Sequence, residues 1–174
     1  IIDYYSTDPR FGTNSDLIQL LDEAHKRDIK VCLDLVAGHT SDKCPWFIQS
    51  KSAKDERYSD YYIWIDELSP EEQVLYDSGQ SNFVRCDSPR GKYYLKNFYD
   101  CQPALNYGYA NPDPFKSWQQ PTDAPGPQAV LRELKNIMMF WLDKGFDGFR
   151  VDMAASLIKE DPSRDAVKAL WRNI

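Results

Sequence analysis

Apolar residues recur along the chain with two different periods. In "GTNSDLIQLLDEAHKRD", Leu17, Leu20, Leu21 and Ala24 fall at helical spacing. Thr13 or Asn14 can cap the start, and Asp16 suits the first turn. "IKVCLDLVAG" follows as a nearly continuous apolar run, the pattern of a strand covered on both faces. Farther on, "PQAVLRELKNIMMFWLDKG" carries Val130, Leu134, Ile137, Met138 and Trp141 on one helical stripe, with Pro127 near its start and Gly145 after its end. "FDGFRVDMA" reads as a second buried strand, with Phe146, Phe149, Val151 and Met153 as its apolar bulk. "PSRDAVKALWRNI" opens another helix, with Ser163 as its expected cap.

Each of the first two helices leads into a buried strand, which predicts an α/β fold with a parallel sheet. The interval between the first strand and the next helix, residues 42 to 125, is too long for an ordinary loop. It is rich in Tyr and Pro, and holds strand-like pieces at 61–65, 82–86 and 92–98 together with the acidic stretch "DELSPEEQ". It reads as a small, irregular, β-containing subdomain inserted after a strand.

Composition narrows the class. With 42% hydrophobic and 14% aromatic residues, 174 residues can build one sizeable core. The formal net charge is −6 and no basic cluster is present, which argues against nucleic acid as a partner. No apolar run is long enough to span a bilayer. The cysteines, Cys32, Cys44, Cys86 and Cys101, form no CxxC pair, so a metal knuckle is not expected. Cys32 is expected to be a buried thiol. The chain starts without Met and stops inside a helical pattern, so both ends read as cut.

Chemistry in parallel α/β folds gathers at the carboxyl ends of strands. The first strand end reads "DLVAGHTS", with Asp34 and His39; the second reads "FRVDMA", with Arg150 and Asp152. Arg150 and Asp152 share one strand face. A carboxylate beside a guanidinium keeps its charge and can attack an electron-poor carbon such as a glycosidic centre. Each residue also has a plainer reading. Arg150 and Asp152 can be a structural ion pair, Asp34 an anchor for Arg150, and His39 a loop hydrogen-bonder. The tyrosines of "KYYLKNFYD" read as subdomain core rather than sugar platforms, and His25, beside Lys26 and Arg27, as solvated.

Four segments together resemble the α-amylase family of glycoside hydrolases (glycoside hydrolase family 13), across essentially the whole chain. "DYYSTDPRFGTNSDLIQLLDEAHKRDIKV" is similar to the family's stretch from the second barrel strand into the third. "DLVAGHTS" is similar to D-x-x-x-N-H-T-S at the end of the third strand. "QPALN" (102–106) is similar to the short motif late in the inserted domain B, and "GFRVDMA" to G-x-R-x-D at the fourth strand. The resemblance implies a partial (β/α)8 TIM barrel. Residues 1–41 would carry the end of strand 2, helix 2 and strand 3. Residues 42–125 would form domain B, and 126–174 would carry helix 3, strand 4 and helix 4.

The resemblance also implies roles. Asp152 would be the nucleophile of a retaining reaction at an α-glucosidic bond. Arg150 would orient it and keep it ionised, His39 would bind the sugar, and Asp34 would support Arg150. The substrate would be starch-like or a malto- or isomalto-oligosaccharide. The acid/base Glu that the reaction needs, about 5 Å from the nucleophile, would lie beyond Ile174, so the 174 residues alone are expected to be inactive. Gly38 replaces the usual Asn of the third-strand motif, and Ala155 and Ser156 replace the Lys-His pair that often follows the nucleophile. That Asn and that His serve a calcium site in many α-amylases, so no metal or other cofactor is expected here. "QPALN" differs from both the "QPDLN" and "MPKLN" forms, which leaves the linkage open. Unpaired strand edges would favour self-association. Two alternatives stand beside the hydrolase: a glucosyltransferase of trehalose synthase or sucrose phosphorylase type, and a non-catalytic relative used as a binding module.

Overall fold

A computed structural model of the chain describes residues 1–53 and 56–174. Helix α1 (Asn14–His25) starts at Thr13, which is extended and closes a capping box with Asp16. The Asp16 amide donates to Thr13 Oγ1, and the Thr13 amide donates to Asp16 Oδ2. Leu21 is its buried anchor, with Leu17 packed beside it. Leu20 is 54% exposed, so the apolar stripe is narrower than its spacing predicts.

Strand β1 (Cys32–Val36) follows, then α2 (Pro45–Ser52), a 3-10 turn (Glu56–Tyr61), β2 (Trp64–Ile65), α3 (Pro70–Asp77), β3 (Phe83–Ser88) and β4 (Gly91–Leu95). Helix α4 (Pro125–Leu142) leads to β5 (Gly148–Asp152), a short 3-10 turn (Ala154–Ser156) and α5 (Asp165–Arg172). β1 and β5 pair in parallel, with Asp34 opposite Arg150 and Val36 opposite Asp152. β2, β4 and β3 form an antiparallel sheet in that order. The fold is thus a partial α/β arrangement with no closed barrel among the described residues.

Both faces of β1 and β5 are predicted to be covered, but only one is. Leu35 is buried, and Leu33, Phe149 and Val151 pack beside it on the face toward the helices. The opposite face carries Cys32, Asp34 and Arg150, all exposed. Two strands offer that face nothing to pack against, which is why Cys32 is open rather than buried. Met153 is also exposed, because the chain leaves the strand there in a left-handed turn (φ 53°).

In α4, Val130, Leu134, Ile137 and Trp141 are buried, as their spacing predicts. Trp141 Nε1 donates to the Tyr4 carbonyl at 2.8 Å. α5 is capped differently from expectation. Its N-cap is Arg164, in a left-handed conformation, and the Asp161 carboxylate accepts from the Val167 amide at 2.8 Å. Ser163 Oγ has only a long contact to the Asp165 amide, 3.4 Å. His25 is engaged: its Nε2 meets Asp147 Oδ2 at 2.8 Å, tying the end of α1 to the turn before β5.

Between β1 and α4, the three strand-like pieces contribute β2, β3 and β4, but two helices join them. α3 begins with a Ser69–Glu72 capping box and Pro70 at its first turn, a signal present in "SPEE". α2 also opens on a proline, Pro45. Aromatic rings bind this region to the rest. Tyr4 stacks on Trp46 at 5.4 Å, and Trp46 on Tyr58 at 6.0 Å. A second apolar cluster of Ile63, Ile65, Phe83, Leu95, Ala104 and Tyr109 lies against the antiparallel sheet.

Candidate active site

The parallel register puts Asp34 and Arg150 side by side on the open face. Arg150 Nη1 donates to Asp34 Oδ2 at 2.7 Å, and Nη2 lies 3.0 Å from Asp152 Oδ1. One guanidinium therefore spans two carboxylates from two strands. Its pKa is raised further above the ordinary arginine range, first by the hydrogen bond to Asp34. The turn after Asp152 is tied down from three sides. Ser156 donates to the Met153 carbonyl through its amide (3.0 Å) and its hydroxyl (2.9 Å), and Trp171 Nε1 donates to the Ala154 carbonyl (2.8 Å).

The end of β1 is held by groups that local sequence patterns do not reveal. The Tyr4 hydroxyl lies 2.9 Å from the Val36 carbonyl and 2.7 Å from that of His39, so its one hydrogen is shared between them. The Tyr107 hydroxyl donates to the Ala37 carbonyl at 2.8 Å. Burial raises the pKa of both phenols, so they stay protonated donors. Beyond the strand, the main chain of 38–40 pairs with 103–105. Leu105 N–H donates to Gly38 O at 3.0 Å, and Thr40 N–H to Pro103 O at 3.1 Å. "AGHTS" and "QPALN" are thus joined backbone to backbone.

His39 is half-buried, and its Nδ1 lies 2.9 Å from Asn97 Nδ2. Burial lowers its pKa, and the Asp152 charge opposes that shift. Asp34, Arg150 and Asp152 are in direct contact, and His39 is close enough for its ring to sense Asp152. Asn97, Tyr4 and Tyr107 complete the setting, and sequence reasoning missed all three. Of the "KYYLKNFYD" tyrosines, Tyr94 is core as expected, whereas Tyr99 is 64% exposed and packs edge-on against the equally open Phe98.

The donor chemistry near the strand ends does not fit a calcium ion. Gly38 has no side chain, and the Ser156 hydroxyl is engaged by the Met153 carbonyl. Gly38 and Ser156 line a cavity of about 480 Å³ whose charged lining mixes Lys96, Lys116 and Lys159 with Glu71, Glu72 and Glu160. Among the described residues, no three His, Cys, Asp or Glu side chains gather to hold a metal.

Residues 1–170 match the family model described as alpha amylase, catalytic domain. The chain belongs to the α-amylase family. Its relatives in that family include an oligo-1,6-glucosidase from Heyndrickxia coagulans, 39% identical over 91% of this chain and 26% of that protein. They also include a trehalose synthase/amylase from Mycolicibacterium smegmatis, 36% identical over 92% of this chain and 24% of that protein. Among solved structures, a mutant isomaltulose synthase from Erwinia rhapontici NX5 in complex with its natural substrate sucrose superposes with a TM-score of 0.70. It is 34% identical, over 90% of this chain and 25% of that one. The chain spans about a quarter of the length of the curated family members it matches.

Proposed function

We propose that the chain supplies the strand-3 and strand-4 side of a retaining glycoside hydrolase acting on α-glucosidic bonds of starch-like, malto- or isomalto-oligosaccharides. Residues 1–41 and 126–174 are its barrel portions, and 42–125 is its domain B. The observation that carries this reading is the single guanidinium of Arg150 joined to Asp34 and Asp152 at adjacent strand ends, in a chain of this family.

Asp152 is the nucleophile. Its carboxylate forms a bond to the anomeric carbon as the glycosidic C–O bond breaks and a second carboxyl protonates the leaving oxygen. Water, activated by that same second carboxyl, then releases the sugar. Arg150 aims the Asp152 carboxylate, Asp34 holds Arg150, and His39 binds the sugar. The second carboxyl comes from the rest of the catalytic domain, so the 174 residues alone are inactive. A second reading, glucosyl transfer, differs only in the acceptor: a sugar hydroxyl replaces water. The relatives named as trehalose synthase and isomaltulose synthase favour keeping it.

The test is Asp152→Asn in the chain expressed with the rest of its catalytic domain. Loss of α-glucoside turnover on the order of 10⁴-fold or more, with folding retained, supports the nucleophile. Undiminished turnover rejects it, and a parent with no turnover leaves the binding-module alternative in its place. Product analysis separates hydrolysis from transfer.

A further inference from the structure

Gly38 departs from the residue expected in its motif, and its backbone does not explain why. It lies outside the left-handed region, unlike Gly12, Gly79, Gly108 and Gly145. Space does explain it. A Cβ at Gly38 would come within 3.0 Å of Asn97 Nδ2, closer than ordinary contact. That same Nδ2 sits 2.9 Å from His39 Nδ1. Both partners stand on clamped main chain. Asn97 N–H donates to Gln102 O at 2.9 Å, and the residues flanking His39 pair with 103–105.

With its NH₂ turned to the ring, the Asn97 amide can only donate, and His39 Nδ1 is then the acceptor. A neutral imidazole that accepts at Nδ1 carries its proton on Nε2. The imidazolium has donors at both nitrogens and would face the amide donor to donor. We propose that Asn97, seated in the space that Gly38 leaves, is a positioning residue that fixes His39 as the Nε2–H tautomer, a donor toward a sugar oxygen. The sugar part of this statement rests on the function proposed above; the tautomer does not. Burial of His39 acts in the same direction, favouring the neutral ring. Among charged side chains, Asp152 acts on the ring and opposes this by favouring the charged form.

The chain has two histidines, so long-range ¹H–¹⁵N spectra resolve two ring patterns, and His25→Gln assigns them. The wild-type chain should show His39 with an unprotonated Nδ1 and a protonated Nε2. Asn97→Asp, equal in size, replaces the donor by an acceptor. It should move the proton to Nδ1 and raise the His39 titration midpoint by roughly one to three units. Gly38→Ala should displace Asn97 and give a mixture of tautomers. An Nδ1–H ring in the wild type, or an Asn97→Asp spectrum unchanged at His39, overturns the proposal. The wild-type spectrum decides the tautomer even where a variant fails to fold.

In the whole catalytic domain, Asn97→Ala should cost about tenfold in kcat/KM, the size of one lost hydrogen bond. It should cost nothing further in a His39→Ala background. An additive loss in that background assigns Asn97 a role apart from His39 and overturns its positioning. If the parent has no glucosidase activity, the proposed function fails while the tautomer result stands.

Discussion

Asp34 lies directly opposite Arg150 across the β1–β5 ladder, and the two join through a 2.7 Å bond between Oδ2 and Nη1. The other end of the guanidinium reaches Asp152 at 3.0 Å. Asp34 therefore reaches Asp152 through Arg150. Asp34→Asn leaves the shape and weakens the grip. In the whole catalytic domain, turnover should fall on the order of a hundredfold, the usual cost of a slightly misplaced reacting group. The unfolding midpoint should barely move, because exposed ion pairs contribute little to stability. A variant with wild-type turnover would remove Asp34 from the site.

Asp147 gives the chain an acid-sensitive joint. Its carboxylate accepts from the Val31 amide at 2.9 Å and meets His25 at 2.8 Å and Lys30 at 3.0 Å. These contacts, the Val31 hydrogen bond first, hold its pKa well below the carboxylate range. A lowered folded pKa stabilises above the unfolded value, near 4, and that stabilisation is lost as pH falls toward the folded one. Denaturant midpoints of the wild type should therefore drop below about pH 4. Asp147→Asn should flatten that part of the curve; an identical slope in the variant would refute the assignment.

The aromatic core predicts an alkaline limit. Burial raises Tyr4, Tyr62 and Tyr107 far above the ordinary phenol value, and Tyr61 and Tyr94 to about 12. A raised folded pKa stabilises fully below the unfolded value, near 10, and the gain is lost as pH climbs through the folded value. Tyrosinate absorbance should rise in two phases. The buried phenols should ionise only together with loss of helical circular dichroism. One smooth phase for all 11 tyrosines, with the helices intact, would contradict the burial pattern.

β1 and β5 each pair on one side only among the described residues, and their polar face is open. The 174-residue chain should therefore self-associate through these edges. Sedimentation velocity should resolve species larger than one chain. A single monomeric boundary across a wide concentration range would show that the edges stay unpaired.

Legibility in the sequence followed distance along the chain. α1 could be read because Thr13, Asp16 and the leucines lie within one short window, and α4 because its stripe has a clean period. The rule that an unbroken apolar run is covered on both faces presumes neighbouring strands, so it misplaced Cys32. α3 has a local signature in Ser69, Pro70 and Glu72, within the acidic stretch "DELSPEEQ" of a segment whose strand-like pieces predict only a β-containing insert. The supports of the site had no local signature. Tyr107 lies 70 residues from the carbonyl it binds, and Asn97 lies 58 residues from His39. Such partners follow from topology, which spacing within one segment does not encode.

The joint between 38–40 and 103–105 is made of main-chain bonds, and 103–105 is itself bonded onward: Ala104 N–H donates to Leu95 O at 2.9 Å. None of these bonds depends on which side chains project from Gln102 or Ala104. The frame around His39 can thus stay fixed while the side chains beside it are exchanged.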